Sequence, residues 1–126
     1  MDDAERLKKV KFVCDGEQLV DGGLAVRFSI RRGDQTLPGF AIRYKDEVRA
    51  FVNSCPHRGT SLDWQPGEVF DDSGLYLICA THGALFEPIS GRCVDGPCHG
   101  ASLKSIPVRI EDNQVRLEQD WLDLSN

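Results

Sequence analysis

Apolar side chains recur at every second position along much of this chain, and that period belongs to strands. Leu24, Val26, Phe28 and Ile30 alternate with Ala25, Arg27 and Ser29, which predicts a half-buried strand with one apolar face. Phe40, Ile42 and Tyr44 repeat the pattern, and Lys45-Asp46-Glu47 makes a tight polar connection into Val48, Ala50 and Val52. Ile106, Val108 and Ile110 alternate again, turn through Glu111-Asp112-Asn113-Gln114, and return as Val115 and Leu117. Further turns are expected at Gly33-Asp34 and Pro38-Gly39. Pro107 inside a strand pattern predicts an edge strand or a bulge, because proline cannot donate to a ladder. Helix is scarce: Asp3–Lys9 predicts a turn or two and Leu62–Gln65 about one.

The segment 53–100 breaks this pattern. It is rich in Gly, Pro, Cys and His, and its good strand runs are Gly74–Cys79 and Ala84–Phe86. Antiparallel strands interrupted by a loop-rich segment place function in the loops. With 126 residues and 40% hydrophobic content, the expectation is one domain over 1–126 with a modest core and short terminal extensions. A net charge of −5 argues against nucleic acid and anionic membranes, and favours a partner with a basic face. Met1–Lys9 lacks a signal-peptide core and no apolar run is long enough for a membrane span, so the expected setting is cytoplasmic, with no membrane. Five cysteines in a reducing compartment are expected to be thiols or metal ligands.

Two loops carry the chemistry: Cys55-Pro56-His57-Arg58-Gly59 and Cys79-Ala80-Thr81-His82-Gly83. Each offers one thiolate and one imidazole. Only three histidines occur in the chain, and two of them sit beside cysteines in matching loops. Four such donors suit zinc or an iron–sulfur cluster. Structural zinc sites usually pair like with like, as Cys-x₂₋₄-Cys and His-x₃₋₅-His. Two loops that each supply one Cys and one His instead serve two irons, one taking both thiolates and the other both imidazoles. That favours a cluster held by Cys55, His57, Cys79 and His82.

At these residues the sequence resembles the Rieske proteins. Cys-x-His, twenty-one intervening residues and Cys-x-x-His look like their signature, with Phe86 following, then Ser90-Gly91-Arg92 and a third loop at Asp95-Gly96-Pro97. The resemblance runs from about Val10 to Glu118. It implies an all-β fold, a Rieske-like antiparallel β-sandwich with an inserted loop-rich cluster-binding subdomain. It also implies one [2Fe-2S] cluster per chain, with Cys55 and Cys79 on the inner iron, His57 and His82 on the outer one, and Pro97 lying over the cluster. High-potential respiratory members carry a disulfide between the ligand loops and a Ser and a Tyr bonded to the cluster. The matching positions here are Thr60, Thr81, Ala84 and Phe86, which predicts the low end of the window of about −150 to +300 mV. This resembles the small Rieske ferredoxins that feed oxygenases: a monomeric electron carrier, with no catalysis of its own, between a reductase and a terminal oxidoreductase.

Other residues are read more plainly. Cys93 and Cys98 are taken as thiols rather than a small disulfide, Cys14 as a structural thiol, and His99 as a surface residue rather than a ligand. Trp64 covers the loops or simply packs, Arg58 is a solvated charge near the docking face, and the role of the tail 119–126 with Trp121 and Leu122 is open. Competing readings are an accessory subunit resembling the nitrite reductase small subunit, a structural zinc protein, and an oxygenase. The oxygenase needs a further iron held by two His and a carboxylate, and only His99 is left to supply one.

Overall fold

The computed structural model describes residues 12–32, 35–56, 60–63, 65–81, 83–97 and 100–117. Among the described residues, nine strands form three antiparallel sheets of three strands each. The middle sheet has the order β2-β3-β4, from β2 (Val26–Arg32), β3 (Gln35–Tyr44) and β4 (Glu47–Val52). A second sheet has the order β1-β9-β8, from β1 (Phe12–Asp15), β8 (Val108–Glu111) and β9 (Gln114–Leu117). The third, β5-β6-β7, lies within the ligand segment and is built from β5 (Leu77–Ile78), β6 (Leu85–Phe86) and β7 (Cys93–Asp95).

The middle sheet is buried on both faces, and this organises the molecule. Successive side chains of a strand point to opposite sides. Phe40, Ile42 and Phe51 therefore enter one core, while Ala41, Ala50, Val48 and Val52 enter the other. The pairing register agrees: Phe40 lies opposite Phe51 and Ala41 opposite Ala50. The Phe40 and Phe51 rings meet with centroids 5.9 Å apart. Ile30 of β2 shares the Ala41 face, and Cys14, Leu19, Ile106, Val115 and Leu117 pack against it. Against the Phe40 face packs the ligand segment.

The predicted hairpins form, with local differences. Lys45 and Asp46 make the two-residue turn between β3 and β4, both at positive φ (50° and 68°). The Asp21 carboxylate accepts the Lys45 and Asp46 N–H groups at 2.9 and 3.1 Å and so holds that turn. Asp112 and Asn113 repeat the positive-φ geometry (52° and 61°) between β8 and β9. β8 is the edge strand that Pro107 requires, and it starts at the next residue.

Pro38-Gly39 is not a turn. Both residues lie inside β3, where Ser29 faces Pro38 and Phe28 faces Gly39. The N and C=O of one strand residue share an edge, and the Pro38 C=O accepts Asn53 N–H at 2.8 Å. The missing proline donor therefore points past the end of β4, where no ladder needs it. Gly39 is there for space: a Cβ would lie 2.9 Å from the Phe28 ring.

Leu24 is 61% exposed and Ala25 is buried, because the alternation begins only at Val26. Ala25 N–H instead bonds the Gly67 C=O at 2.8 Å, which docks this end of β2 onto the ligand segment. Ile110, on the edge strand, is 44% exposed. Of the helical turn expected at Leu62–Gln65, the described residues Leu62, Asp63 and Gln65 are not helical, and Trp64 lies outside the described residues. The helix found among the described residues is a 3₁₀ turn, Gly16–Gln18. The runs at Gly74–Cys79 and Ala84–Phe86 shrink to two-residue strands, and β1 and β7 are strands that the period-two reading did not find. The helix expected at Asp3–Lys9 and the turn at Gly33-Asp34 lie outside the described residues.

Candidate metal centre

Cys55 follows β4 by three residues and Cys79 follows β5 directly. Both sulfur-bearing residues are buried, 1% and 0% exposed, in the same apolar core as Leu62, Ala84 and Phe86. Strands of the sandwich and of the small sheet thus deliver two soft donors into one water-poor region.

Backbone hydrogen bonds fix the loops that carry them. Cys55 N–H bonds the Thr60 C=O at 2.7 Å and closes the first loop. Cys79 N–H bonds the Ala84 C=O at 2.9 Å, and Gly83 N–H bonds the Cys79 C=O at 2.7 Å, which closes the second. Ala80 N–H reaches across to the Leu62 C=O at 3.0 Å, so the two loops are tied to each other. Asn53 stands behind both. It is fully buried, at 1% exposure. Its Oδ1 accepts Leu62 N–H at 2.8 Å and its Nδ2 donates to Asp63 Oδ1 at 3.1 Å.

The third loop reaches the second. Gly96 has φ +101°, and a Cβ there would lie 2.7 Å from the Ala84 Cα. Only glycine allows this approach with this backbone. β7 carries the loop in: Cys93 N–H bonds the Ala101 C=O at 2.9 Å, and Arg92 bridges Ser102. The Glu87 carboxylate holds the turn between β6 and β7 by accepting Ile89 N–H at 3.1 Å and Ser90 N–H at 2.7 Å. Burial opposes charge on Glu87, but the Ser90 and Ile89 N–H bonds, the Ser90 hydroxyl and the Arg49 guanidinium outweigh it. Together they hold its carboxyl below the usual range.

Of the predicted ligands, Cys55 and Cys79 are thus brought into one core, and the third loop is set against Ala84. His57 and His82 lie outside the described residues, as do Arg58, Trp64, Cys98, His99 and the tail 119–126. Among the described residues no three His, Cys, Asp or Glu side chains converge. Thr60, Thr81 and Pro97 are exposed, whereas Ala84 and Phe86 are fully buried. Cys93 is in the same core, its Sγ 3.3 Å from the Asp95 carbonyl oxygen. Cys14 belongs to the opposite core. Burial first, and Asp15 second, push its thiol pKa up against the pull of Arg43. It is a packing residue of that core. Asn53, Asp63 and Glu87 were not singled out by sequence, since a buried carboxamide or turn-holding carboxylate reads like any other loop Asn, Asp or Glu.

A family model described as "Rieske [2Fe-2S] domain" matches residues 9–109. The chain belongs to the Rieske [2Fe-2S] domain family. A Rieske domain implies a [2Fe-2S] cluster, and the donor set fits one: two buried cysteines share one apolar core, on loops tied by direct hydrogen bonds. Solved structures agree on the all-β fold. The ferredoxin of Sphingomonas yanoikuyae B1 is 23% identical with a TM-score of 0.64, and the match covers 85% of this chain and 95% of that one. A chain in a complex of reduced oxygenase and oxidised ferredoxin in carbazole 1,9a-dioxygenase is 23% identical with a TM-score of 0.67, over 87% of this chain and 93% of that one. The terminal oxygenase of carbazole 1,9a-dioxygenase from Nocardioides aromaticivorans IC177 is 22% identical with a TM-score of 0.66, over 86% of this chain and 29% of that one. A comparison with curated proteins gives no match. Among the described residues no helix is long and apolar enough to cross a membrane.

Proposed function

We propose that this Rieske domain is a cytoplasmic one-electron carrier, a monomeric single domain that takes electrons from a reductase and passes them to a terminal oxygenase or another oxidoreductase. Cys55, His57, Cys79 and His82 hold one [2Fe-2S] cluster per chain in this reading. The bound cluster supplies one-electron redox chemistry. The protein supplies the setting: the Cys55 and Cys79 thiolates would hold one iron inside the apolar core, and the His57 and His82 imidazoles would hold the other.

The observation that carries the reading is the burial of Cys55 and Cys79 in one core on loops joined by the Ala80–Leu62 hydrogen bond. The fold likeness over 93–95% of two ferredoxin-related chains supports a carrier. The chain's net charge of −5 suits a basic docking face on the partner. Ala84 and Phe86 are fully buried and carry no hydroxyl that could bond a sulfur, which favours the low end of the Rieske potential window.

Potentiometric titration of the anaerobically purified protein, followed by visible absorption, tests the reading. It predicts a one-electron wave below about +100 mV. A wave above that value contradicts the low-potential argument, and no reversible wave contradicts the carrier. Single replacements of Cys55, His57, Cys79 and His82 should each remove or alter the cluster signal, whereas His99→Ala should leave it. Loss of the signal in His99→Ala would show the ligand assignment to be wrong.

A further inference from the structure

The geometry points to Asn53 as a positioning residue that sets the spacing between the two cysteine loops, with Asp63 and Arg27 as its anchor. This rests on the cluster reading above.

A single line of bonds runs through Asn53. Its backbone N–H donates to the Pro38 C=O of β3 at 2.8 Å, which fixes the residue to the middle sheet. Its Oδ1 accepts Leu62 N–H at 2.8 Å, and the Leu62 C=O accepts Ala80 N–H at 3.0 Å. Asn53 is two residues before Cys55, and Ala80 is the residue after Cys79. The carboxamide and the Leu62 peptide therefore bridge the two ligand loops at their roots. Asp63 holds the carboxamide in this orientation. Its Oδ1 accepts Asn53 Nδ2–H at 3.1 Å, while its Oδ2 accepts Gly67 N–H at 3.0 Å and pairs with Arg27 Nε at 3.3 Å. The Asp63 side chain is 3% exposed and Arg27 is 47% exposed, so the charge is buried at one end and reaches solvent at the other.

A carboxamide suits this place because it donates and accepts at once, which no apolar residue and no carboxylate can do. Without it, the Leu62 N–H and Asp63 Oδ1 lose their partners in a dry core, and unpaired buried polar groups pull a loop towards water. The loops would then be free to change their separation. Partners that orient metal ligands typically change metal affinity about 10–100-fold when removed.

The test compares cluster loss to excess EDTA, read as decay of visible absorption, in wild type, Asn53→Ala, Arg27→Gln and Val115→Ala. Val115 is fully buried in the opposite core and reports a general loss of stability. The expected results are release about 10–100-fold faster in Asn53→Ala and a change in the EPR spectrum of the reduced protein. Arg27→Gln, on a half-exposed pair, should speed release about two- to fivefold, and Val115→Ala should change it least. In cluster-loaded protein, hydrogen exchange in the peptides that hold Leu62 and Ala80 should rise together in Asn53→Ala. Release from Asn53→Ala no faster than from Val115→Ala, with an unchanged spectrum, overturns the assignment. If Asn53→Ala does not fold, Arg27→Gln decides, and wild-type release and exchange rates in it overturn the assignment. A wild-type protein that binds no cluster overturns the functional reading as well, so the two failures are distinct.

Discussion

Substituting Gly96 by alanine should loosen the third loop from the second by an amount that a neighbouring glycine can calibrate. Gly96 and Gly100 have nearly the same φ, +101° and +96°. An alanine at either position adopts a conformation that L-residues rarely take, for about 1–3 kcal/mol. The two sites differ in what the new methyl meets. At Gly96 it would lie 2.7 Å from the Ala84 Cα and 3.2 Å from the Ala84 Cβ, whereas at Gly100 no heavy atom of the described residues lies within 4 Å. Backbone cannot rotate aside, so Gly96→Ala adds an overpacking cost of about 1–3 kcal/mol. The expected losses are therefore about 1–3 kcal/mol for Gly100→Ala and about 2–6 kcal/mol for Gly96→Ala. Urea unfolding of the two variants and wild type, followed by circular dichroism at equal cluster loading, measures the gap. With a slope of about 1–3 kcal/mol/M, the Gly96→Ala midpoint should fall about 1 M below that of Gly100→Ala. Equal midpoints with unchanged slopes would mean that the third loop does not press on Ala84.

Replacing Lys45-Asp46 by Asn-Gly should stabilise the protein by up to about 1 kcal/mol, measured by urea unfolding, because both positions have positive φ in a two-residue hairpin turn. Asp21→Ala should cost about 1 kcal/mol in the same assay, since two turn N–H groups lose their acceptor. Glu87→Gln should destabilise by about 1 kcal/mol at neutral pH. The folded-state pKa of Glu87 is depressed, so its contribution is fully present above the unfolded value of about 4.3 and is lost as pH falls through the folded value. The stability gap between wild type and Glu87→Gln should therefore close in acid, and a gap constant with pH would contradict the carboxylate's role. Phe86→Ala should cost about 3–5 kcal/mol, since the ring is fully buried in the core that holds both cysteines.

Much of the fold was legible because hydrophobic period and turn chemistry are local signals. Phe40, Ile42 and Val48–Val52 announced β3 and β4, and Lys45-Asp46 announced their turn. The same locality explains the errors. Pro38-Gly39 reads as a turn in isolation, and only the Phe28 ring and the end of β4 make it strand. Ala41 and Phe51 look like the minor face of one-sided strands until a second core covers them. Of the candidate site, the chain order shows donor identity and spacing, and the fold adds that Cys55 and Cys79 share one core. The site was not legible at Asn53 or Gly96. Their roles depend on Leu62, Asp63 and Ala84, which the fold brings close and the chain order does not reveal.

Visible absorption, metal analysis and the EPR spectrum of the dithionite-reduced protein, all on anaerobically purified chain, bear on the two-loop centre itself. A brown protein with about two irons per chain and the low average g of a histidine-ligated cluster is the expected result. A colourless protein with one zinc per chain would contradict it.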